Sequence, residues 1–164
     1  MELADDDFLN LCACVGNIIV PFSLFEASMN MAIEAIYSSM GGNKLEKEIP
    51  RAFERRLTYL RKCAVRIPEL SPVKDELLAN LDEIEKRAEL RNHVAHGFIS
   101  HFDPKSLTVT FTLLEAYSDK QKHTEKIHPY TAKELLDGGY AILKASGSMN
   151  LIAKRICEIG MGKE

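Results

Sequence analysis

The stretch Ile18-Ile-Val-Pro-Phe-Ser-Leu-Phe-Glu-Ala-Ser-Met-Asn-Met-Ala-Ile-Glu-Ala-Ile36 carries the strongest structural signal in the chain. Its apolar side chains recur at spacings of four and three, which is typical of one buried face of an α-helix. The pattern predicts a long first helix. Pro21 either starts this helix or bends it, and a separate helical piece over Asp6 to Ile19 is the alternative. The apolar face consists of Ile18, Phe22, Phe25, Met29, Ala32 and Ile36.

Glycine and proline residues divide the segment that follows into two more predicted helices. Gly41-Gly42 predicts the end of the first helix, since glycine adopts the left-handed conformation cheaply. Pro50 suits a first helical position, and Ile67-Pro68 predicts the end of the second helix. A third helix is predicted from Pro72 to His96, with Gly97 as its left-handed terminator. Its apolar seam consists of Leu77, Leu81, Ile84 and Ala88, then Arg91 and Ala95.

After Gly97 the hydrophobic period changes from helical to alternating. Residues Leu107 to Leu113 alternate apolar side chains with threonine, which indicates a half-buried strand. Phe98 to Phe102 is its predicted partner, and a short strand is placed over Lys126 to His128. Thr131-Ala-Lys-Glu is a capping box that predicts the start of a last helix. We therefore expect a mainly α fold, an up-and-down helical bundle with a small antiparallel β-hairpin between the third and fourth long helices, as a single domain over residues 1–164.

Composition places this chain among ordinary globular proteins. It has 164 residues, 46% of them apolar and 27% charged, and a formal net charge of −3. Its four cysteines form no CxxC pair, which favours a reducing compartment. The acidic N-terminal residues do not resemble a secretory signal, and polar residues interrupt the long apolar stretch. These features predict a cytoplasmic protein that does not span a membrane.

The charge is unevenly distributed along the sequence. Residues 1–50 carry a net charge of about −6, and residues 51–66 carry about +5. Four of the bases in this second segment share one face of the predicted second helix, opposite its apolar face. This basic stripe is either a solvated face or a track for an RNA backbone. It consists of Arg51, Arg55, Lys62 and Arg66.

The string Glu89-Leu-Arg-Asn-His-Val-Ala-His-Gly97 holds the residues best suited to chemistry. A histidine can take a proton from a ribose 2′-hydroxyl or give one to a leaving oxygen. An arginine can hold a phosphate and stabilise the charge that develops on it. Arg91, Asn92 and His96 thus suit phosphodiester cleavage with no cofactor and no metal. A zinc site at the histidines is not favoured, because no matching carboxylate or cysteine lies near them in sequence.

One difficulty is the spacing, since Arg91 and His96 lie about 140° apart around a regular helix. Either the last turn loosens, or two copies of the chain pair and share a cleft. Arg91 also occupies an apolar position, where it requires a partner. Glu26 lies on the apolar face of the first helix and is expected to pair with Arg91 or with another cation. His93 is expected to be a neighbour of the site, not a catalytic group.

The segment Arg91-Asn92-x-x-x-His96 resembles the Rx4–6H motif of HEPN domains, including the polar residue after the arginine and the closing Ala-His-Gly. The order of helices and the glutamate of the first helix are also similar. The resemblance implies a metal-independent RNA endonuclease that works as a homodimer in toxin–antitoxin, anti-phage or stress defence. Arg91 and His96 would then be catalytic, and Asn92 would position them.

The resemblance also implies partners. An antitoxin or a nucleotidyltransferase accompanies some HEPN toxins, and a tyrosine two residues after the histidine then receives AMP. Phe98 stands at that position here, which argues against this form of control. Two other hypotheses remain: a non-catalytic HEPN-like dimerisation or nucleotide-binding partner protein, and an unrelated helical adaptor with an exposed Arg91.

Overall fold

Helices make up most of the protein, and one small sheet interrupts them. This computed structural model describes residues 5–116 and 123–162. The elements in chain order are α1 (Asp5–Ser39), α2 (Phe53–Arg66), α3 (Lys74–His96), β1 (Phe98–Asp103), β2 (Thr108–Ala116), β3 (His123–Thr131) and α4 (Ala132–Met161). The prediction of a mainly α fold, with its strands between the third and fourth long helices, is confirmed.

The chain forms two compact units. The first holds the described residues of Met1–Phe22 and Arg87–Ile142, and the second those of Ser23–Lys86 and Leu143–Glu164. Each unit buries its own apolar side chains. In the first these include Ile18, Val94, Phe111 and Leu135, and in the second Met29, Leu60, Leu81 and Ile156. The expectation of one domain over residues 1–164 stays a prediction.

Helix α1 confirms the buried face predicted from its spacing, since all six predicted positions are buried. It runs without a break through Pro21, so the alternatives of a new start or a separate piece at this position are wrong. Proline removes the hydrogen bond from its own nitrogen to the carbonyl of Asn17, four residues earlier, and its ring crowds that carbonyl. Packing of the surrounding apolar side chains outweighs that one lost bond.

The glycines at the start of α4 permit a close approach of helices within the first unit. A Cβ atom at Gly139 would collide with the side-chain amide of Asn17 and with its carbonyl oxygen. A Cβ atom at Gly138 would collide with Leu90 of α3. Helix α4 therefore passes against α1 at the carbonyl that Pro21 leaves without its helical donor.

The boundaries of the middle helices differ from the predicted ones. Helix α2 begins at Phe53, three residues after Pro50, because Ala52 is extended. It ends at Arg66 before the extended Ile67, as predicted. Helix α3 begins at Lys74, since the preceding segment Pro68–Val73 forms a 3-10 helix. Proline lacks an N–H to donate and fixes its own φ angle, and two prolines favour the tighter turns here.

The sheet is antiparallel, with β2 between β1 and β3. Its central Phe111 pairs with Ile99 on one side and with His128 on the other. The predicted hairpin is thus one half of a three-stranded sheet, and the short predicted third strand extends to nine residues. The alternation signal in β3 is weak because Pro129 and charged residues interrupt it. The predicted capping box is present at the N-terminus of α4, where Thr131 N donates to Glu134 Oε2 at 2.8 Å.

By length and composition, one described helical stretch, Leu9–Ser39, would suffice to cross a membrane. Core helices of soluble proteins pass the same test. Inside this stretch, Glu26 Oε1 lies 2.7 Å from Arg56 Nη2 of α2, and Asn30 Oδ1 accepts from Arg56 Nη1 at 2.7 Å. These polar contacts support a packed helix within the second unit.

Candidate functional site

Helix α3 stays regular to its end, and this controls where its last side chains point. The amide of Gly97 donates to the carbonyl of His93 at 2.9 Å, which continues the helical pattern. Gly97 does not adopt the predicted left-handed conformation; of the described glycines, Gly41 does, with φ of 79°. A Cβ atom at Gly97 would meet His93 O at 2.5 Å and Phe111 Cβ at 3.2 Å. Glycine is therefore needed here for close approach to β2.

Arg91, Asn92 and His96 come together within a single chain. Nη1 of Arg91 lies 3.3 Å from Nε2 of His96 and donates to Oδ1 of Asn92 at 3.1 Å. The five-residue spacing predicts side chains on different faces, yet the long arginine bridges the gap without any loosening of the last turn. Since arginine only donates, this approach is a hydrogen bond in the tautomer of His96 whose Nε2 carries no proton.

The position of Arg91 on an apolar seam has a local explanation. Its guanidinium carbon lies 5.0 Å from the centre of the Phe22 ring, within cation–π range. Its side chain is half-buried, while Asn92 and His96 are exposed. The predicted seam ends early, because Ala95 is exposed and Val94 is buried in its place. The cluster thus combines an anchored cation with an accessible imidazole.

His93 belongs to a separate buried cluster. Its Nδ1 lies 2.6 Å from the hydroxyl of Tyr130, and its ring stacks on His128 with 3.6 Å between centroids. Burial first, and then His128, lower the pKa of His93 below its ordinary value of 6.5. His128 is half-buried at this position of β3. The signal that could have found this cluster is the two-residue spacing of His128 and Tyr130, which places both on one face of a strand.

All four members of the basic stripe are exposed, but only Arg55, Lys62 and Arg66 lie on α2. The prediction that Arg51 shares this helix face is wrong, because α2 begins at Phe53 after the extended Ala52. Lys62 Nζ donates to Glu46 Oε1 at 2.9 Å and to the carbonyl of Leu45 at 2.8 Å. Within residues 5–116 and 123–162, the structure gives Arg51, Arg55 and Arg66 no ion pair. Three of the four predicted cations are thus available for an anion.

A groove of about 830 Å³ runs beside the stripe and includes Arg51 and Arg55. Glu46 and Glu48 also line it, so its charge is mixed.

Glu26 pairs with Arg56 at 2.7 Å, which satisfies the second of the two alternatives for its partner. Both side chains are largely buried, with 23% and 13% of their surface exposed. Arg56 is one of the bases of the +5 segment. Its charge is paired inside the second unit and is not part of the exposed basic stripe. For the described residues, no three His, Cys, Asp or Glu side chains gather as a metal site.

No family model matches the chain, and neither a curated protein nor a solved structure matches it significantly.

Proposed function

We propose that this protein is a metal-independent RNA endonuclease of HEPN type. The observation that carries the proposal is the 3.3 Å approach of Arg91 Nη1 to His96 Nε2 at an accessible helix end. An arginine and an imidazole at this separation can engage one phosphodiester together. The resemblance of Arg91-Asn92-x-x-x-His96 to the HEPN motif supports the same reaction.

The reaction follows from the roles of the two side chains. His96 accepts the proton of a ribose 2′-hydroxyl, and the 2′-oxygen attacks phosphorus. The bond from phosphorus to the 5′-oxygen breaks, and an imidazolium returns a proton to that oxygen. Arg91 stabilises the charge on the phosphate oxygens, and Asn92 orients Arg91. The products are a 2′,3′-cyclic phosphate and a 5′-hydroxyl.

The proposal includes a homodimer in the cytoplasm, in a toxin–antitoxin, anti-phage or stress-defence role. Within the first unit, the large apolar side chains of Leu9, Val20 and Leu136 are each more than half exposed. A second copy of the chain would remove such side chains from water. A second copy would also supply a second His96, so that one imidazole acts as base and the other as acid. An antitoxin or nucleotidyltransferase partner rests on the resemblance alone.

Cleavage of RNA in the presence of EDTA tests the proposed activity. We expect the full-length protein to cut single-stranded RNA without added metal, and to leave cyclic phosphate ends detectable by mass spectrometry. A DNA strand of the same sequence should stay intact, because it lacks the 2′-hydroxyl. Absence of cleavage on any RNA, together with a stable complex with another protein, would favour the non-catalytic dimerisation partner instead.

The three arginines of the stripe that form no ion pair within the described residues should contribute to RNA affinity. Replacing Arg51, Arg55 and Arg66 with alanine should weaken RNA binding and reduce the slope of log affinity against log salt by about 0.7 for each phosphate that is no longer neutralised. Fluorescence anisotropy over a series of salt concentrations measures both quantities. Lys62→Ala is the matched control, and it should have a smaller effect because Glu46 already neutralises Lys62. An unchanged slope in the triple variant would show that the stripe is only a solvated face.

A further inference from the structure

A cluster of aromatic and titratable side chains joins the end of α3 to β3 within the first unit. His93 comes from the same two turns of α3 that carry Arg91 and His96, and His128 and Tyr130 come from β3. The His93 side chain is only 9% exposed. Nε2 of His128 is buried without a hydrogen-bond partner among the described residues. The reaction proposed above uses none of these groups.

The hydrogen bond between His93 and Tyr130 has a preferred direction. Oε1 of Glu89, on the same helix, lies 3.8 Å from Nε2 of His93. A carboxylate on this side favours the tautomer with its proton on Nε2. Nδ1 is then an acceptor, and the Tyr130 hydroxyl donates to it at 2.6 Å. The contact with Tyr130 thus holds the His93 ring, and Glu89 is a charged neighbour beyond hydrogen-bond distance.

Charge on the cluster would oppose this arrangement. Two imidazolium rings 3.6 Å apart in a half-buried position repel one another, so the stack resists a second proton. Lys126 of β3 adds a further positive charge that disfavours protonation of His93, whereas Glu89 favours it. Burial raises the pKa of Tyr130, and the negative charge of Glu134 on α4 contributes to this rise. From β2, the uncharged ring of Phe111 packs against Tyr130.

We propose that the stacked His93–His128 pair, with Tyr130, positions the Arg91–His96 end of α3, and that protonation of His93 in acid releases it. His93 and His128 are positioning residues, since they act on the site through the end of α3. The inference rests on the proposed function of that helix end. It adds that low pH changes the position of Arg91 and His96 through residues of β3.

The direction of the pH effect follows from linkage. Burial and the neighbouring ring lower the pKa of His93 in the folded protein. Below pH 6.5 His93 therefore binds a proton more readily in the unfolded chain than in the folded chain. The free energy of unfolding then decreases as the pH falls. Above pH 6.5 both states hold His93 neutral, and this contribution to pH dependence vanishes.

Nuclear magnetic resonance of the full chain in a His96→Gln background tests the inference without relying on cleavage. We expect the His93 ring to titrate below 6.5, and the backbone amides of Arg91 and Asn92 to shift with the same midpoint. His128→Phe keeps a flat ring stacked on His93 but removes a group that can carry positive charge, so it should raise the midpoint of the His93 titration. Tyr130→Phe should also shift the ring and amide signals, because it removes the donor to Nδ1.

The matched control is His101→Phe, which removes an exposed histidine of β1 and should change none of these signals. The inference is overturned if His93 titrates identically in wild type and in both β3 variants. It is also overturned if the amide chemical shifts of Arg91 and Asn92 do not change as His93 titrates. Cleavage and titration can fail separately. Coupled titration in a protein that cuts no RNA would overturn the proposed function but not the positioning role of His93 and His128. Cleavage without coupled titration would overturn that positioning role.

Discussion

Replacing His96 with alanine should slow RNA cleavage by about 10²–10⁴-fold, the usual contribution of a general acid–base group. Arg91→Ala should slow it by about 10²–10³-fold, because charge on the phosphate would lose a preorganised donor. Asn92→Ala should have a smaller effect, since Asn92 acts by accepting a hydrogen bond from Arg91 at 3.1 Å. Single-turnover cleavage of a labelled RNA with enzyme in excess measures these rates apart from product release.

His101→Ala is the matched control for His96→Ala, because it removes another exposed histidine of the same unit. It should leave the rate unchanged. Mixing the Arg91→Ala and His96→Ala proteins tests the dimer. If one cleft uses side chains from two copies, the mixture should regain a part of the wild-type rate. Equal cleavage by wild type and both motif variants would show that the motif is only the cationic end of a helix.

Gly139→Ala and Gly147→Ala should change stability in opposite directions, although both place alanine in α4. At Gly139 the new Cβ would fall 2.5 Å from the carbonyl oxygen of Asn17, a backbone atom that cannot rotate away. Separating α1 from α4 in the first unit should cost about 3 kcal/mol. At Gly147 no atom lies within 4 Å of the new Cβ, and alanine should stabilise the helix by about 0.5–1 kcal/mol.

Urea denaturation followed by circular dichroism measures both free energies of unfolding. Each variant serves as the control of the other, since side chain, helix and intrinsic helix propensity are the same. If Gly139→Ala were as stable as Gly147→Ala, the close approach of α4 to Asn17 would not exist in solution.

Much of the helical framework follows from the sequence because it depends on local spacing. The buried face of α1, the end of α2 before Ile67-Pro68 and the capping box at Thr131 were all predictable. Each depends on side chains within one or two turns. The start of α2 at Phe53 was not, because Pro50 is equally suited to an extended segment and to a first helical turn.

The arrangement within the candidate site was less predictable, because it depends on contacts between distant segments. The approach of Arg91 to His96 depends on the reach of a long side chain, which an angular plot of Cβ positions ignores. The continuity of α1 through Pro21 depends on tertiary packing. The partners of His93 lie 35 and 37 residues away in β3, where a proline obscures the alternation.

The sheet is joined to its flanking helices almost without linkers. Only Gly97 separates α3 from β1, and α4 begins at the residue after β3. Connections this short cannot absorb a movement of the sheet. A tilt of the sheet must therefore displace the last turn of α3 or the first turn of α4. For protein engineering, this makes both junctions unsuitable for inserted tags or fusion points. The exposed turn at Pro104 to Ser106 is the better insertion point, since lengthening it leaves both junctions unstrained.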